Sequence, residues 1–110
     1  MDKAKILALL ESYNTHSVYY IEPMAVRLAD CGLDVELAAD RKSLTIGGLR
    51  VEISEPEWGE PGLSPLSILG AIYELDAGSR PESSMSGTGF WYRDVLEQLT
   101  KRWKEQGSIQ

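Results

Sequence analysis

Residues 43–54 read SLTIGGLRVEIS, and the alternation within them decides the fold class. Leu44 and Ile46 alternate with Ser43 and Thr45, and Leu49, Val51 and Ile53 alternate with Arg50, Glu52 and Ser54. Successive side chains of a strand point to opposite faces, so each run has one apolar face and one wet face. Between the runs, Gly47-Gly48 tolerates the positive φ that a two-residue hairpin turn requires, and such a turn pairs Ile46 with Leu49. Immediately upstream, Leu33, Val35 and Leu37 alternate with Asp34 and Glu36 and supply a further strand. A three-stranded antiparallel meander follows, with its apolar face turned to a core.

Helical signals flank this meander on both sides. From Asp2 to about Tyr13, the residues Ile6, Leu7, Leu9, Leu10 and Tyr13 recur at helical spacing, with Asp2 placed to cap. Asn14-Thr15-His16-Ser17 interrupts the pattern, and Val18-Tyr19-Tyr20-Ile21 reads either as a short extended segment or as the entry to the next helix. Pro23 suits a first turn, Met24, Leu28 and Cys31 share a face, and Gly32 is a natural stop. Downstream, Pro56, Gly59, Pro61 and Gly62 mark residues 54–64 as a loop. Ser64 then caps and Pro65 opens a helix that turns Leu66, Leu69, Ile72 and Tyr73 inward and stops near Gly78. Gly70 inside it costs on the order of 1 kcal/mol against alanine, and close packing is the expected reason for it.

Residues 78–88, GSRPESSMSGT, are compositionally biased and are expected to be mobile. Thr88 is placed to cap a last helix, along which Tyr92, Leu96, Leu99 and Trp103 recur at i, i+4, i+7 and i+11. Lys101, Arg102 and Lys104 complement the dipole at its end. The expected architecture is α+β in the order ααβββαα, a single domain over residues 1–110 with about four helices on one face of the meander.

Size and composition agree with that reading. A chain of 110 residues with 43% hydrophobic and 25% charged residues has ordinary globular usage and length enough to bury a core. Cys31 is the sole cysteine, which rules out an intrachain disulfide and favours a reducing, cytoplasmic setting. Glu11 breaks the apolar stretch after Leu10 and no small-residue cleavage pattern follows, so no signal peptide is expected. No apolar run approaches the length of a membrane span.

Charge is unevenly placed. Between Val51 and Ser79 lie Glu52, Glu55, Glu57, Glu60, Glu74 and Asp76 with no lysine or arginine, six acids that match the whole net charge of −6. A negative field repels nucleic acid and attracts basic partners, so direct nucleic-acid binding is not expected.

Residue types that carry chemistry are sparse. One cysteine and one histidine cannot fill a tetrahedral zinc set, and the acids show no D-x-D-x-D-G calcium loop, so no metal and no cofactor is expected. Cys31 on an apolar helical face reads as a small hydrophobe, and His16 as a solvated turn residue. None of the G-x-S-x-G, S-x-x-K or H-E-x-x-H patterns occurs. The chain is therefore not expected to be an enzyme. Ser86-Gly87-Thr88-Gly89, ahead of a helix, offers free backbone N–H groups of the kind that hold phosphates, without the lysine of a P-loop.

The remaining candidate is the acidic loop Glu55-Pro56-Glu57-Trp58-Gly59-Glu60-Pro61, preceded by Glu52. A tryptophan flanked by carboxylates in a proline-stiffened loop suits partner recognition, because tryptophan is enriched at binding hot spots. In size, charge and domain class the chain resembles the small acidic inhibitors of phages and other mobile elements, such as anti-CRISPR and anti-restriction proteins. That resemblance implies a protein that occupies a basic, nucleic-acid-binding surface of its partner. A toxin-immunity protein or secretion chaperone is one alternative, and a phosphorylated-ligand protein using Ser86–Gly89 is another. A homodimer through Phe90, Trp91 or Tyr19-Tyr20 is also expected, since the last helix carries aromatics on more than one side.

Overall fold

The glycine pair forms the turn its sequence dictates. Gly47 and Gly48 have φ of 57° and 85°, and Ile46 lies opposite Leu49 across the hairpin. The computed structural model describes residues 1–55 and 59–109. Among these the chain runs α1 (Lys3–Ser12), β1 (Tyr19–Tyr20), α2 (Ile21–Asp30), β2 (Val35–Leu37), β3 (Leu44–Ile46), β4 (Leu49–Val51), β5 (Ile53–Ser54), β6 (Gly62–Leu63), α3 (Pro65–Ala77) and α4 (Thr88–Glu105). The mixed α+β class is as expected.

The strand arrangement is richer than a single meander. Strands β2-β3-β4 make the expected antiparallel sheet, in which Val35 pairs with Ile46 and Leu44 with Val51. A second antiparallel sheet has the order β1-β6-β5, pairing Tyr19 and Ile53 with Leu63, and Tyr20 and Ser54 with Gly62. The element order ααβββαα is corrected accordingly. The chain changes sheets at Glu52, the one residue between β4 and β5. Because alternation runs unbroken through Glu52, the sequence reads as one strand where the fold has two.

Strand β6 lies inside the stretch expected to be loop, and its glycine is what makes the pairing fit. A Cβ on Gly62 would collide with Val18 Cγ1 and come within 2.8 Å of the Tyr19 carbonyl oxygen. Both readings of residues 18–21 hold in part, since Tyr19-Tyr20 is strand and Ile21 opens α2.

Local signals set the helix ends. Asp2 Oδ1 accepts from the Lys5 N–H at 3.1 Å, and Ser64 Oγ accepts from the Leu66 N–H at 3.3 Å. Gly32 and Gly78, at φ 81° and 79°, end α2 and α3 in the left-handed region. The cap of α4 is Gly87 and not Thr88, because the Gly87 carbonyl already accepts from the Trp91 N–H at 2.9 Å. In α3 the buried face is Ile68, Leu69, Ala71 and Ile72, with Leu66 and Tyr73 half-buried at its margin.

The core joins all four helices to both sheets. Ile6, Leu10, Leu28, Leu44, Ile46, Leu63, Ile68, Leu69, Leu99 and Trp103 are each fully buried. Tyr92 of α4 donates its hydroxyl to the Leu10 carbonyl at 2.6 Å and so fixes α4 against α1. Between α3 and α4 the chain has no regular element over residues 79–86. It lies along α4, where Ser83 Oγ donates to Asp94 Oδ2 at 2.7 Å and Gln98 Nε2 donates to the Glu82 carbonyl at 3.0 Å. Among the described residues, no helix is long and apolar enough to cross a membrane.

Candidate functional site

Cys31, Tyr13 and Tyr92 are buried, whereas His16 is exposed. Cys31 is buried at the end of α2. Burial pushes its thiol up, Lys5 pulls it partly back, and Asp2 and Asp30 add to the upward push. A thiol held in its neutral form is a poor nucleophile. His16 is exposed in the turn after α1, its backbone N–H bonded to Asn14 Oδ1 at 3.0 Å. Tyr13 and Tyr92 are phenols pushed up chiefly by burial, and Arg27 pulls Tyr13 partly back. Tyr13 donates to the Met24 sulfur and stacks at a tilt on Tyr19, with ring centroids 5.0 Å apart. Among the described residues, no three His, Cys, Asp or Glu side chains come close enough to hold a metal ion.

Of the acidic-loop residues expected to bind a partner, Glu52, Glu55 and Glu60 are described and exposed, whereas Glu57 and Trp58 lie outside the described residues. Among the described residues the acids are not gathered into one face. Glu52 lines a groove of about 280 Å³ together with Glu74. Glu60 lines a different groove, of about 490 Å³. Asp76 is withdrawn from the surface, since its side chain is 12% exposed and accepts from Arg102 Nε at 2.7 Å, with Lys3 Nζ at 3.9 Å.

Around Glu60 the surface is aromatic and acidic together. Tyr20 at the end of β1 is 68% exposed and Val18 50%. Tyr20, Pro23 and Pro61 share the 490 Å³ groove with Glu22, Asp40 and Glu60, against the cations Arg41 and Lys42. Arg41 is already engaged by Glu22. The φ of 59° at Arg41 has a local cause, because it closes the β2–β3 turn by donating its N–H to the Ala38 carbonyl at 2.9 Å.

A groove of about 770 Å³ between the end of α1 and α4 escaped the sequence reading. Its α4 wall carries Arg93, Glu97, Lys101 and Lys104, and Glu11, Asn14 and Thr15 face them. The signal was present as i, i+4, i+8 and i+11 spacing, which places the four on one helical face. Of the residues expected to bind an anion, Ser86, Gly87 and Thr88 are exposed ahead of this groove and Gly89 lines it.

Fold and surface together define a small α+β domain with separate polar grooves and an aromatic sheet edge. No protein-family model, curated protein or solved structure matches the chain.

Proposed function

We propose that the chain is a non-enzymatic protein-binding module that presents Tyr20, Glu55 and Glu60 to a basic surface of another protein. The observation that carries this reading is the exposed Tyr20 beside Glu60, where strands β1 and β6 meet. An exposed tyrosine supplies apolar contact area with a polar tip; Arg41 takes up Glu22, and Glu60 beside the tyrosine supplies the charge complementarity. Where the partner's basic surface ordinarily holds nucleic acid, occupancy by this domain inhibits that binding.

The test is comparative capture from cells that naturally carry the chain, using the wild type and a Tyr20→Ala/Glu55→Gln/Glu60→Gln variant as immobilised baits. A basic protein retained by the wild type, lost from the variant and released as salt rises supports the reading. Identical capture by both baits overturns it.

A second reading rests on the 770 Å³ groove. Arg93, Lys101 and Lys104 line it with Thr15 and Gly89 and outnumber Glu11 and Glu97 by one, a balance that suits an anionic, phosphate-bearing ligand. A phosphorylated metabolite that stabilises the wild type but not Arg93→Gln/Lys101→Gln against heat favours this reading over the first.

A further inference from the structure

A glycine with no packing duty sits in the middle of α3. A Cβ built on Gly70 would meet nothing within 4 Å, so close packing does not explain the glycine. What Gly70 faces is the 280 Å³ groove, whose α3 side is Leu66, Ser67, Gly70, Ala71 and Glu74, the last four on one helical stripe. Across from it the edge strand β4 and the residue after it contribute Arg50 and Glu52, two apart and therefore on one face. Arg80 precedes Pro81 at the margin, and half-buried Trp91 of α4 adds an aromatic wall.

The charges of this groove are balanced and unspent. Arg50, Arg80, Glu52 and Glu74 come from β4, the residue after it, α3 and the 79–86 segment, yet none forms an ion pair with a described residue. A singly charged ligand would gain from one pair and be repelled by the other. A ligand with both an anionic and a cationic group satisfies all four. The volume is below the roughly 300–1,000 Å³ of pockets for drug-sized ligands. It suits one small molecule.

We propose that this groove binds a free α-amino acid. The carboxylate lies between the Arg50 and Arg80 guanidiniums, the ammonium meets Glu52 and Glu74, and an apolar side chain lies against Trp91. Arginine forks suit a carboxylate because two parallel N–H donors match its two oxygens. This site is independent of the partner surface at Tyr20 and stands or falls separately from it.

The probes are the twenty L-α-amino acids, screened by thermal shift and titrated by calorimetry against the whole chain. L-phenylalanine or another apolar member is expected to bind. Its analogues lacking one charge (phenethylamine and 3-phenylpropanoate in the case of phenylalanine) should bind at least about tenfold more weakly, as loss of a charged hydrogen-bonded contact implies. Glu74→Gln and Arg80→Gln should each weaken binding by about the same factor. Gly70→Leu should abolish binding by filling the groove, and Gly70→Ala should fold with a raised Tm because alanine favours a helix interior. No binding of any amino acid up to about 10 mM, a concentration well above a weak millimolar Kd, would overturn the proposal. So would analogues that bind as tightly as the amino acid, or binding unchanged in Glu74→Gln and Arg80→Gln.

Discussion

Lys3 Nζ lies 5.3 Å from the centroid of the Trp103 ring, over an indole that is itself fully buried. The same ammonium donates to Gln106 Oε1 at 3.2 Å and to Ser108 Oγ at 3.0 Å, and lies 3.9 Å from Asp76. One side chain at the start of α1 thus closes the far end of the core, where α3 and α4 also finish. Lys3→Met keeps the stem that covers Trp103 and removes the charge. We expect a loss of about 1 kcal/mol, the sum of a partly exposed cation–π contact and surface hydrogen bonds. Urea denaturation should show a lower midpoint with an unchanged slope.

Tyr92 makes a sharper prediction, because its hydroxyl is buried and bonded to the Leu10 carbonyl at 2.6 Å. Tyr92→Phe should cost about 1–2 kcal/mol by leaving that carbonyl without its donor. The pH dependence follows from the direction of the shift. Burial raises the Tyr13 and Tyr92 phenols in the folded state, so above the ordinary phenol value of 10.0 the unfolded chain releases protons that the folded chain keeps. The stabilising contribution is whole below that value and declines as pH rises beyond it. Alkaline unfolding should begin above about pH 10, and Tyr92→Phe should reduce the steepness of the decline.

Gly62 is predicted to be irreplaceable for a steric reason. Its φ is not in the left-handed region, so backbone strain is not the issue. An added methyl would meet Val18 Cγ1 and the Tyr19 carbonyl, and the carbonyl belongs to the strand that β6 pairs with. Gly62→Ala should therefore separate β1 from β6 and destabilise by about 1–3 kcal/mol, the range for overpacking. Hydrogen exchange should localise the effect: the amides of β1, β5 and β6 lose protection while β2–β4 keep theirs.

That second sheet marks where sequence reading stopped. Gly47-Gly48, Ser64-Pro65 and Asp2 were legible because each acts on its own neighbours, through a turn, a cap or a fixed φ. Strand β6 was not, since two residues set among Pro61 and Ser64 have no periodicity to read, and their partners Tyr19-Tyr20 lie over forty positions away. The site was less legible for a similar reason. Six acids between Val51 and Ser79 read as one block along the chain, but among the described residues the turn at Glu52 and the helix α3 send Glu52 and Glu74 to one groove, Glu60 to another and Asp76 to Arg102. The cations of the 770 Å³ groove were visible as a helical stripe, and only the fold shows that Glu11, Asn14 and Thr15 face them.

The dispersal of those acids sorts them by role, which can be measured. Asp76 receives Arg102 at 2.7 Å with most of its surface covered, so it holds the C-terminal ends of α3 and α4 together. Glu55 and Glu60 are exposed and form no ion pair with a described residue. Asp76→Asn should lower stability by about 1 kcal/mol, since Arg102 keeps an acceptor but loses its counter-charge. Glu55→Gln and Glu60→Gln should each leave stability within about 0.5 kcal/mol of the wild type, as surface substitutions generally do. Partner binding should show the reverse order, with the two glutamate variants each weakened and less sensitive to salt, and Asp76→Asn nearly unchanged once folded. Equal effects of all three on both stability and binding would mean that the acids act as one bulk charge, and the assignment of Glu60 to a contact surface would be lost.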